Sequence, residues 1–321
     1  MYKTIRASVE SDFEAVNREV VDQLYSNVPL VESIGHYIVE AGGKRMRPVL
    51  VLLSARACDI DNDAHVRLAT VIEFIHTATL LHDDVVDMST MRRGRPTANS
   101  QWNNPSSVLV GDFIYSRAFQ LLVSLQNMRI MQIMADTTNR IAEGEVLQLI
   151  NKHNVDVTEA DYLRVIHNKT AILFEAAAQC GAILANSHQT VEHGLRDFGL
   201  HVGTAFQLID DVLDYEGDSE KLGKNIGDDL AEGKPTLPLI YAMNNSDSND
   251  AQLIRDSLKN GGLDSLDAII GIVKRSGGLE YTRRLAEEQA EKARSCLGVL
   301  PDSRYRSALD TMAGFSIART S

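Results

Sequence analysis

Two short acidic segments carry the clearest chemical signal in this 321-residue chain. One runs from Asp83 to Asp87 and the other from Asp210 to Asp214, and each has aspartate at its first, second and fifth positions. Residues four apart on a helix share a face, so Asp83 lies above Asp87 and Asp210 above Asp214. Oxygen ligands without nearby Cys or paired His favour a hard cation, and Mg²⁺ combines one or two carboxylates with substrate phosphates. The spacing therefore predicts two magnesium-binding helix faces.

The apolar surroundings of both segments distinguish them from an ordinary acidic surface. Residues 76–82 precede the first segment and residues 205–209 the second, and both runs are largely apolar. An unpaired carboxylate in partly desolvated surroundings costs several kcal/mol, so each segment requires positive charge nearby. One isolated copy of this pattern is usually a solvated acidic face. Two copies in apolar context favour a metal site.

Basic residues suited to phosphate cluster beside Gly or Pro turns. The clusters lie at residues 42–48, 92–96 and 223–229, and further basic candidates are Lys169 and Lys234. The Gly-rich element lacks the spacing of a nucleotide-binding P-loop. A polyphosphorylated substrate that bridges two facing acidic helices through Mg²⁺ explains the acidic and basic groups together.

The composition narrows the class of protein. A content of 44% hydrophobic and 24% charged residues is that of a globular protein with a sizeable core, and the net charge of −12 argues against a nucleic-acid partner. Cys58, Cys180 and Cys296 lie far apart, which predicts reduced, buried thiols. The N-terminal residues lack the apolar core of a secretory signal, and no apolar run is long enough for a transmembrane segment. We expect a soluble, cytoplasmic enzyme.

The proline distribution predicts an all-α protein. After Pro105 no proline occurs until Pro235, and proline inside a helix costs roughly 3 kcal/mol. No boundary divides residues 1–321, which predicts one domain. The long connections at 88–104 and 217–235 follow the acidic segments and are predicted to close over the metals. Apolar periodicity places helices at 8–24, 28–41, 46–57, 62–86, 105–125, 129–150, 158–185, 189–216, 235–244, 249–259, 263–275, 278–297 and 301–319.

Five ordered motifs resemble those of the trans-isoprenyl diphosphate synthases. They are residues 42–48, the first acidic segment followed by 92–94, the pair Lys169-Thr170, residues 206–211 and residues 223–224. The resemblance covers nearly the whole chain and looks closest to the bacterial long-chain members that make octaprenyl diphosphate for quinone side chains. It implies a single large helical bundle of the isoprenoid synthase type with a central active-site cavity, and a homodimer.

The resemblance also implies a role for each matching residue. The implied catalytic residues are Asp83, Asp84, Asp87, Asp210, Asp211, Asp214 and Lys169. Of these, Asp83, Asp87 and Asp210 would bind Mg²⁺, and the other aspartates would support them. The residues implied to bind the allylic diphosphate are Arg92, Lys169, Thr170, Gln207, Lys224 and Lys234. Those implied to bind isopentenyl diphosphate are Lys44, Arg47, His76 and Arg93.

The implied reaction is the head-to-tail condensation of isopentenyl diphosphate with an allylic primer, expected to be farnesyl diphosphate. About three Mg²⁺ ions and the basic residues would draw charge from the departing diphosphate, and no protein nucleophile is needed. Alignment of the two substrates and exclusion of water would complete the catalysis.

Small residues next to the first acidic segment indicate a long product. Ala78 and Thr79 lie five and four residues before Asp83, where shorter-chain relatives carry bulky aromatics. The helix back to Val66 gives roughly 25 Å of apolar wall at 1.5 Å per residue. A floor is expected deeper, at Phe119, Leu122 and Met134. We predict a product near C40, although close helix packing also explains small residues here.

Other readings remain open on the sequence alone. His76 is a lone histidine in an apolar helix, and a position in the core also explains it. A helix C-cap also explains Gly42-Gly43. A terpene cyclase also carries one such aspartate segment but has no need of a second diphosphate pocket. A non-catalytic regulatory subunit and a synthase of shorter or longer products are the nearer alternatives. Release of a C40 product would require peripheral contact with a membrane.

Overall fold

The computed structural model describes residues 1–216, 227–261 and 265–318. These ranges are almost entirely α-helical, which confirms the predicted class. The helices are α1 (Tyr2–Ala7), α2 (Glu10–Asp22), α3 (Pro29–Glu40), α4 (Met46–Ala57), α5 (Ala64–Val86), α6 (Ala98–Gln101), α7 (Asn104–Ser124), α8 (Met128–Asn151), α9 (Glu159–Ile166), α10 (Ile172–Leu184), α11 (Gln189–Glu216), α12 (Asp228–Ala231), α13 (Leu237–Asn245), α14 (Ser248–Asn260), α15 (Leu266–Arg275), α16 (Gly278–Cys296) and α17 (Arg304–Ile317).

Each predicted helix has a counterpart, and two of them, 46–57 and 189–216, have the same ends. The predictions at 263–275 and 301–319 extend partly beyond the part of the chain that the structure describes. The prediction missed α1, α6 and α12, which are too short to show a clear period. Within the described ranges no helix is both long and apolar enough to cross a lipid bilayer.

One β-hairpin interrupts the helices, and the sequence shows no alternation from which to predict it. Strands Met91–Arg92 and Arg95–Pro96 pair antiparallel, with Arg92 opposite Arg95. The two turn residues, Arg93 and Gly94, both have positive φ, at 52° and 73°. This is the geometry of the tight turns that match the twist of paired strands. The hairpin therefore projects the arginines of the 92–96 cluster from a defined turn.

The chain divides into two compact units. The first comprises Met1–Thr138, Leu173–Gly199 and Cys296–Met312, and the second comprises Asn139–Ile172, Leu200–Ser295 and Ala313–Ser321. The first acidic segment belongs to the first unit and the second segment to the second unit. A single domain over residues 1–321 stays a prediction.

The core of the first unit is built on α4, α5 and α7. Helix α4 is apolar on nearly all sides, and its residues Val49–Leu53 are fully buried, as expected for a central helix. Helices α5 and α7 approach closely: a Cβ atom on Gly111 would lie 2.3 Å from Nε2 of His82. His82 also contacts the Val108 carbonyl oxygen at 3.1 Å, so this histidine packs between the two helices. Helix α5 is thus held by its neighbours up to the start of the acidic segment.

The core of the second unit surrounds the C-terminal half of α11. Buried side chains of α9, α11, α13, α14 and α15 form one apolar cluster, and Tyr215 is among its largest members. The Tyr215 hydroxyl lies 3.1 Å from Oγ1 of Thr236 inside this cluster. The second acidic segment therefore stands on a helix whose opposite face is buried.

A π-helical turn, His167–Ala171, interrupts the single helix predicted at 158–185. It contains Lys169 and Thr170, and helix α8 packs directly against its backbone. A Cβ atom on Gly144 would lie 2.8 Å from the Lys169 amide nitrogen, a distance that real Cβ atoms do not show. Single π turns inside helices are frequent at functional sites. Close packing at Gly144 fixes where Lys169 and Thr170 lie.

The three cysteines are free thiols, as predicted. Cys180 is fully buried, whereas Cys58 and Cys296 are partly exposed. Burial raises the pKa of the Cys180 thiol, which keeps it protonated and unreactive.

Candidate active site

The first acidic segment ends helix α5. Helix α5 closes at Val86, and the Asp87 amide donates to the Asp83 carbonyl oxygen at 2.8 Å. The two residues therefore lie one helical turn apart, as the spacing predicts, and both side chains are half-buried. Asp84 differs: it is 1% exposed. Its carboxylate thus faces protein rather than solvent.

Arg92 neutralises the buried Asp84. Nε and Nη2 of Arg92 lie 2.9 Å and 2.8 Å from Oδ1 of Asp84. Burial raises the pKa of Asp84, and the hydrogen bond from Arg92 opposes that shift. The sequence reasoning assigned Arg92 to substrate and did not foresee this pair. Three guanidinium N–H groups are left by the two bonds, so the same side chain has donors for a phosphate.

The connection at 88–104, predicted to close over the metals, is tied to the end of α5. The Asn99 side-chain amide donates to the Asp84 carbonyl oxygen at 3.2 Å, and the Thr97 hydroxyl donates to the Ser89 carbonyl oxygen at 2.7 Å. The Tyr37 hydroxyl on α3 donates to the Pro96 carbonyl oxygen at 2.7 Å. These bonds hold the hairpin that carries Arg92 against its own unit.

Arg47 and His76 are in direct contact. Nη1 of Arg47 lies 3.1 Å from Nε2 of His76, and the Arg47 guanidinium stacks 4.5 Å from the Phe174 ring centroid. Burial and the neighbouring Arg47 and Arg93 lower the pKa of His76 well below its ordinary value. Because arginine only donates, Nε2 of a neutral His76 accepts, and its proton is on Nδ1. His76 is therefore a polar member of the basic cluster and not an isolated core histidine.

Arg93 lies against the Gly-rich loop. A Cβ atom on Gly43 would be 2.7 Å from Nη2 of Arg93, and Gly43 has a φ of 142°, so a larger residue here would displace the Arg93 side chain and strain the backbone. Burial lowers the pKa of Arg93, and the nearby Glu73 carboxylate opposes that shift. The structure thus brings the residues predicted for isopentenyl diphosphate, Lys44, Arg47, His76 and Arg93, into one region of the first unit.

The second acidic segment repeats the exposure pattern of the first. Asp210 and Asp214 are half-buried, whereas Asp211 is 3% exposed. The Tyr162 hydroxyl donates to Oδ2 of Asp211 at 2.5 Å, and the Gln207 amide donates to Oδ1 at 2.8 Å. The Thr170 hydroxyl donates to Oε1 of Gln207 at 3.0 Å. Thr170 and Gln207, both predicted to bind the allylic diphosphate, are therefore in contact. A hydrogen-bonded chain runs from the π turn through Gln207 to Asp211.

Neutral donors leave the charge of Asp211 uncompensated. Burial, assisted by the nearby Asp229, raises the pKa of Asp211 to about 8, against the hydrogen bonds from Tyr162 and Gln207. Burial also raises the pKa of Tyr162 well above its ordinary value, so its hydroxyl remains a donor. The sequence predicts no role for Tyr162, which stands in no motif, or for Asp229, which belongs to the 223–229 cluster but is included there for its basic neighbour Lys224. The raised pKa means that Asp211 requires a nearby cation to be fully ionised at neutral pH.

The lysines predicted to bind the allylic diphosphate make ion pairs in this structure. Nζ of Lys169 lies 2.6 Å from Oε2 of Glu145, and it also contacts Oε1 of Gln148 at 2.7 Å. Nζ of Lys234 lies 2.6 Å from Oε2 of Glu232. Lys224 lies outside the described residues. Both lysines are in the second unit with Thr170 and Gln207.

The donor chemistry of the two segments fits a hard divalent cation. Asp83, Asp87, Asp210 and Asp214 offer carboxylate oxygens, which suit Mg²⁺, and Mg²⁺ completes its coordination with water and phosphate oxygens. Oδ2 of Asp84 is buried and accepts no hydrogen bond from the described residues. Over the same residues, no group of three or more His, Cys, Asp and Glu side chains is placed to hold a metal ion by itself.

The residues predicted to set product length all belong to the first unit. Ala78 is fully buried on α5, and the hydroxyl of half-buried Thr79 donates to the His76 carbonyl oxygen at 2.7 Å. Leu122 and Met134 are buried, and Phe119 packs on Tyr115 with ring centroids 5.2 Å apart. Their role in product length stays a prediction.

An all-α chain with two such aspartate segments and a cluster of arginines beside a Gly-rich loop has the fold of the isoprenoid synthases. A family model described as polyprenyl synthetase matches residues 28–272. The chain is 53% identical to the octaprenyl diphosphate synthase of Escherichia coli strain K12, with 96% of each chain covered. It is 51% identical to the all-trans-nonaprenyl-diphosphate synthase (geranyl-diphosphate specific) of Rhodobacter capsulatus, covering 98% of this chain and 97% of that one.

A solved structure extends the likeness to three dimensions. A polyprenyl synthase from Caulobacter crescentus, complexed with calcium and isoprenyl diphosphate, superposes with a TM-score of 0.97 at 41% identity and covers 100% of this chain and 98% of its own. The chain belongs to the polyprenyl synthetase family, whose members are prenyltransferases.

Proposed function

We propose that this trans-polyprenyl diphosphate synthase makes octaprenyl diphosphate by adding isopentenyl diphosphate, head to tail, to farnesyl diphosphate. The observation that carries the proposal is the 53% identity to an octaprenyl diphosphate synthase over 96% of both chains. The intact pair of aspartate segments favours a catalytic chain over a regulatory subunit, because each segment offers two half-buried carboxylates. The basic cluster around Arg47 and His76 favours a synthase over a terpene cyclase, which needs no second diphosphate pocket.

In this proposal Asp83, Asp87 and Asp210 hold Mg²⁺, about three ions with substrate bound. The calcium and isoprenyl diphosphate in the Caulobacter crescentus structure support a divalent cation with this class of ligand. Bound Mg²⁺ supplies positive charge that stabilises a departing diphosphate. Asp84 and Asp211 support the segments from inside the protein, through Arg92 in one unit and through Tyr162 and Gln207 in the other.

The chain's own residues position the two diphosphates. Lys44, Arg47 and Arg93 carry permanent charge for isopentenyl diphosphate, and neutral His76 orients Arg47. The residues proposed to hold the allylic diphosphate are Arg92, Lys169, Thr170, Gln207, Lys224 and Lys234. The bond between the allylic carbon and its diphosphate breaks, and the isopentenyl double bond attacks that carbon. The leaving diphosphate takes the proton that is then lost. No side chain has to act as a nucleophile.

Incubation with farnesyl diphosphate, isopentenyl diphosphate and Mg²⁺, followed by dephosphorylation and chromatographic sizing, tests the activity and the product together. We expect an octaprenyl alcohol as the main product. A nonaprenyl product, as named for the Rhodobacter capsulatus relative, would overturn the product assignment and leave the class intact. Absence of any condensation would overturn the proposed function.

Bulky residues next to the first segment should shorten the product. Ala78→Phe and Thr79→Tyr add an aromatic ring one turn before Asp83, and Ala78 has no exposed surface into which a ring would turn. We expect both variants to release products shorter by several isoprene units, measured by the same chromatography. Leu109→Phe is the matched control, because Leu109 is 66% exposed. Unchanged product length in both variants would remove these residues from the chain path.

We further propose a cytoplasmic homodimer that contacts the membrane peripherally when it releases its product. Exposed apolar side chains on α8 support a partner surface: Val146, Leu149 and Ile150 are 56%, 54% and 67% exposed. Sedimentation equilibrium should give twice the chain mass. A monomer at micromolar concentration would contradict the dimer.

A further inference from the structure

Arg45 has an unusual backbone conformation for its residue type. It is the N-cap of α4 with φ 45° and ψ 44°, in the left-handed region that non-glycine residues rarely adopt. The two glycines before Lys44 also have positive φ, which costs glycine nothing, but Arg45 has a Cβ atom. Such a conformation persists only where surrounding contacts determine it, and it is typical of functional sites. Arg45 stands between Lys44 and Arg47, both assigned to isopentenyl diphosphate.

Three contacts from three helices hold this turn. Nη1 of Arg45 donates to Oδ1 of Asn17 on α2. Nε of Arg45 lies 3.4 Å from Oε1 of Glu73 on α5. The Tyr2 hydroxyl on α1 donates to the Lys44 carbonyl oxygen, at the peptide bond that enters Arg45. The side chain and the preceding carbonyl are therefore both fixed.

Glu73 is the buried anion of this part of the basic cluster. The side chains of Arg45 and Glu73 are 13% and 12% exposed. Burial raises the pKa of Glu73, and Arg45, Arg47 and Arg93 oppose that shift. Glu73 also lies three residues before His76, so both occupy one face of α5. One carboxylate thus holds arginines that would otherwise repel one another in the absence of a diphosphate.

We propose that Arg45 is a positioning residue for the isopentenyl diphosphate site, held by Tyr2, Asn17 and Glu73 so that Lys44 and Arg47 are oriented toward the diphosphate. The inference rests on the proposed function. Tyr2 and Asn17 precede residue 28, where the match to the family begins, so a segment outside the matched region supports a loop inside it. Nη1 and Nε of Arg45 are directed to Asn17 and Glu73, so its role in this proposal is to position the loop and not to bind substrate.

The consequence is a specific kinetic signature. A looser turn weakens the binding of isopentenyl diphosphate equally in the ground state and the transition state, which raises KM and leaves kcat unchanged. The allylic diphosphate is assigned to other residues, so its KM should not move. A general loss of structure would change kcat and both KM values together.

The test compares Arg45→Gly with wild type in initial-rate assays at varied isopentenyl diphosphate and saturating farnesyl diphosphate, and then with the roles reversed. Glycine adopts the left-handed turn freely, so this variant removes the tether and keeps the backbone conformation accessible. We expect KM for isopentenyl diphosphate to rise about tenfold, the effect of one charged hydrogen bond, with kcat and the other KM within about twofold. Asn17→Ala and Tyr2→Phe should raise the same KM by about threefold.

Arg67→Ala is the matched control, because Nε of Arg67 on α5 contacts Oε1 of Glu19 on α2 at 3.1 Å, joining the same two helices away from the turn. It should leave every kinetic parameter within about twofold. Amide hydrogen exchange of residues 42–47 gives a readout without substrate, and it should accelerate in Arg45→Gly, Asn17→Ala and Tyr2→Phe but not in Arg67→Ala. If Arg45→Gly or Asn17→Ala is too unstable for rate assays, hydrogen exchange of residues 42–47 in Tyr2→Phe tests the proposal instead.

Wild-type protein that shows no condensation would overturn the proposed function, whatever the exchange data show. Active wild type with an unchanged KM for isopentenyl diphosphate in both Arg45→Gly and Asn17→Ala would overturn the positioning role. Exchange at residues 42–47 that is the same in all variants would overturn it as well.

Discussion

The two aspartate segments share a sequence pattern and an exposure pattern, yet the protein satisfies them differently. In each segment the first and fifth aspartates are half-buried and the second is buried. Asp84 is paired with the cation of Arg92, whereas Asp211 accepts hydrogen bonds from the neutral Tyr162 and Gln207. The first segment is thus partly neutralised by the protein, whereas burial raises the pKa of Asp211, so that its ionised form depends on a cation from elsewhere.

This difference shows that the three aspartates of one motif have distinct tasks. The outer pair faces outward on one helix face and suits a metal ion. The second aspartate, turned about 100° around the helix, connects the segment to the protein. A buried carboxylate that accepts hydrogen bonds from a cationic side chain forms a structural ion pair with it. A buried carboxylate that accepts hydrogen bonds only from neutral donors lowers stability at neutral pH.

The largest effect is expected from the outer aspartates. Asp83→Ala and Asp210→Ala should each lower kcat by at least about 10²-fold, because each removes a ligand for the charge that stabilises the departing diphosphate. Steady-state rates with saturating Mg²⁺ measure this, and circular dichroism should show unchanged helicity. Asp112→Ala serves as the control, since the Asp112 side chain is 63% exposed. A large effect in one segment alone would break the equivalence of the two motifs.

Replacing the second aspartates with asparagine should separate the two segments sharply. Asp84→Asn leaves the Arg92 guanidinium without its anion in a largely buried site and should lower the free energy of unfolding by about 3 kcal/mol. Asp211→Asn replaces a buried carboxyl group whose ionised form has only neutral donors, so we expect no loss of stability or a small gain. Urea unfolding without Mg²⁺ measures both. Equal losses in the two variants would show that the segments are satisfied alike.

Gly144→Ala should disturb the second unit's site and spare the first. Its Cβ atom would overlap the backbone of Lys169 and Asn168, which cannot rotate away, so we expect a loss of about 2 kcal/mol and a raised KM for farnesyl diphosphate. Thermal unfolding and initial rates measure the two effects. Gly298→Ala is the control, because a Cβ atom there meets nothing within 4 Å. Tolerance of alanine at residue 144 would show that the π turn adjusts.

The half-buried Asp12 tests whether arginine pairing has the effect assigned to it at Asp84. Burial alone would raise the pKa of Asp12, but hydrogen bonds from Arg56 and His65 hold it well below its ordinary value of 3.8. A lowered pKa adds stability that is present above the unfolded-state pKa and is lost as the pH falls through the folded-state pKa. Asp12→Asn should therefore cost about 1 kcal/mol at pH 7, and the cost should shrink below about pH 4.

Chemical denaturation of wild type and Asp12→Asn between pH 7 and pH 3 measures that difference. The Arg56 guanidinium contacts Asp12 at 2.8 Å and 2.7 Å, so Arg56→Lys, which keeps the charge and loses the fork, is the matched variant. A difference between wild type and Asp12→Asn that is independent of pH would contradict a charge-based pair.

Much of the site could be predicted because its residues follow local rules. The acidic faces required only helical spacing, and the helices required only the apolar period and the absence of proline. His76 was placed two turns before Asp83 on the same face, and its contact with Arg47 agrees with a shared cluster. The hairpin at 91–96 was missed, since two-residue strands carry no alternation.

The partners of the buried groups could not be predicted, because they are distant in sequence and belong to no motif. Tyr162 reaches Asp211 across 49 positions, and Arg45 reaches Asn17 across 28. An exposed glutamate at position 73 would fit the apolar period of α5 equally well, so the sequence does not show that Glu73 is largely buried. The roles of Lys169 and Lys234 were implied by the family resemblance, which does not show that they pair with Glu145 and Glu232.

The amino-acid sequence by itself determined the helical class, the two aspartate faces and the basic loops, because these depend on spacing within one segment. Only the tertiary structure decided which aspartates are buried and what neutralises them. Burial and charge compensation depend on side chains that arrive from other helices, and no local pattern encodes their distance. The same five-residue motif therefore became an arginine-paired segment in one unit and a neutrally hydrogen-bonded segment in the other.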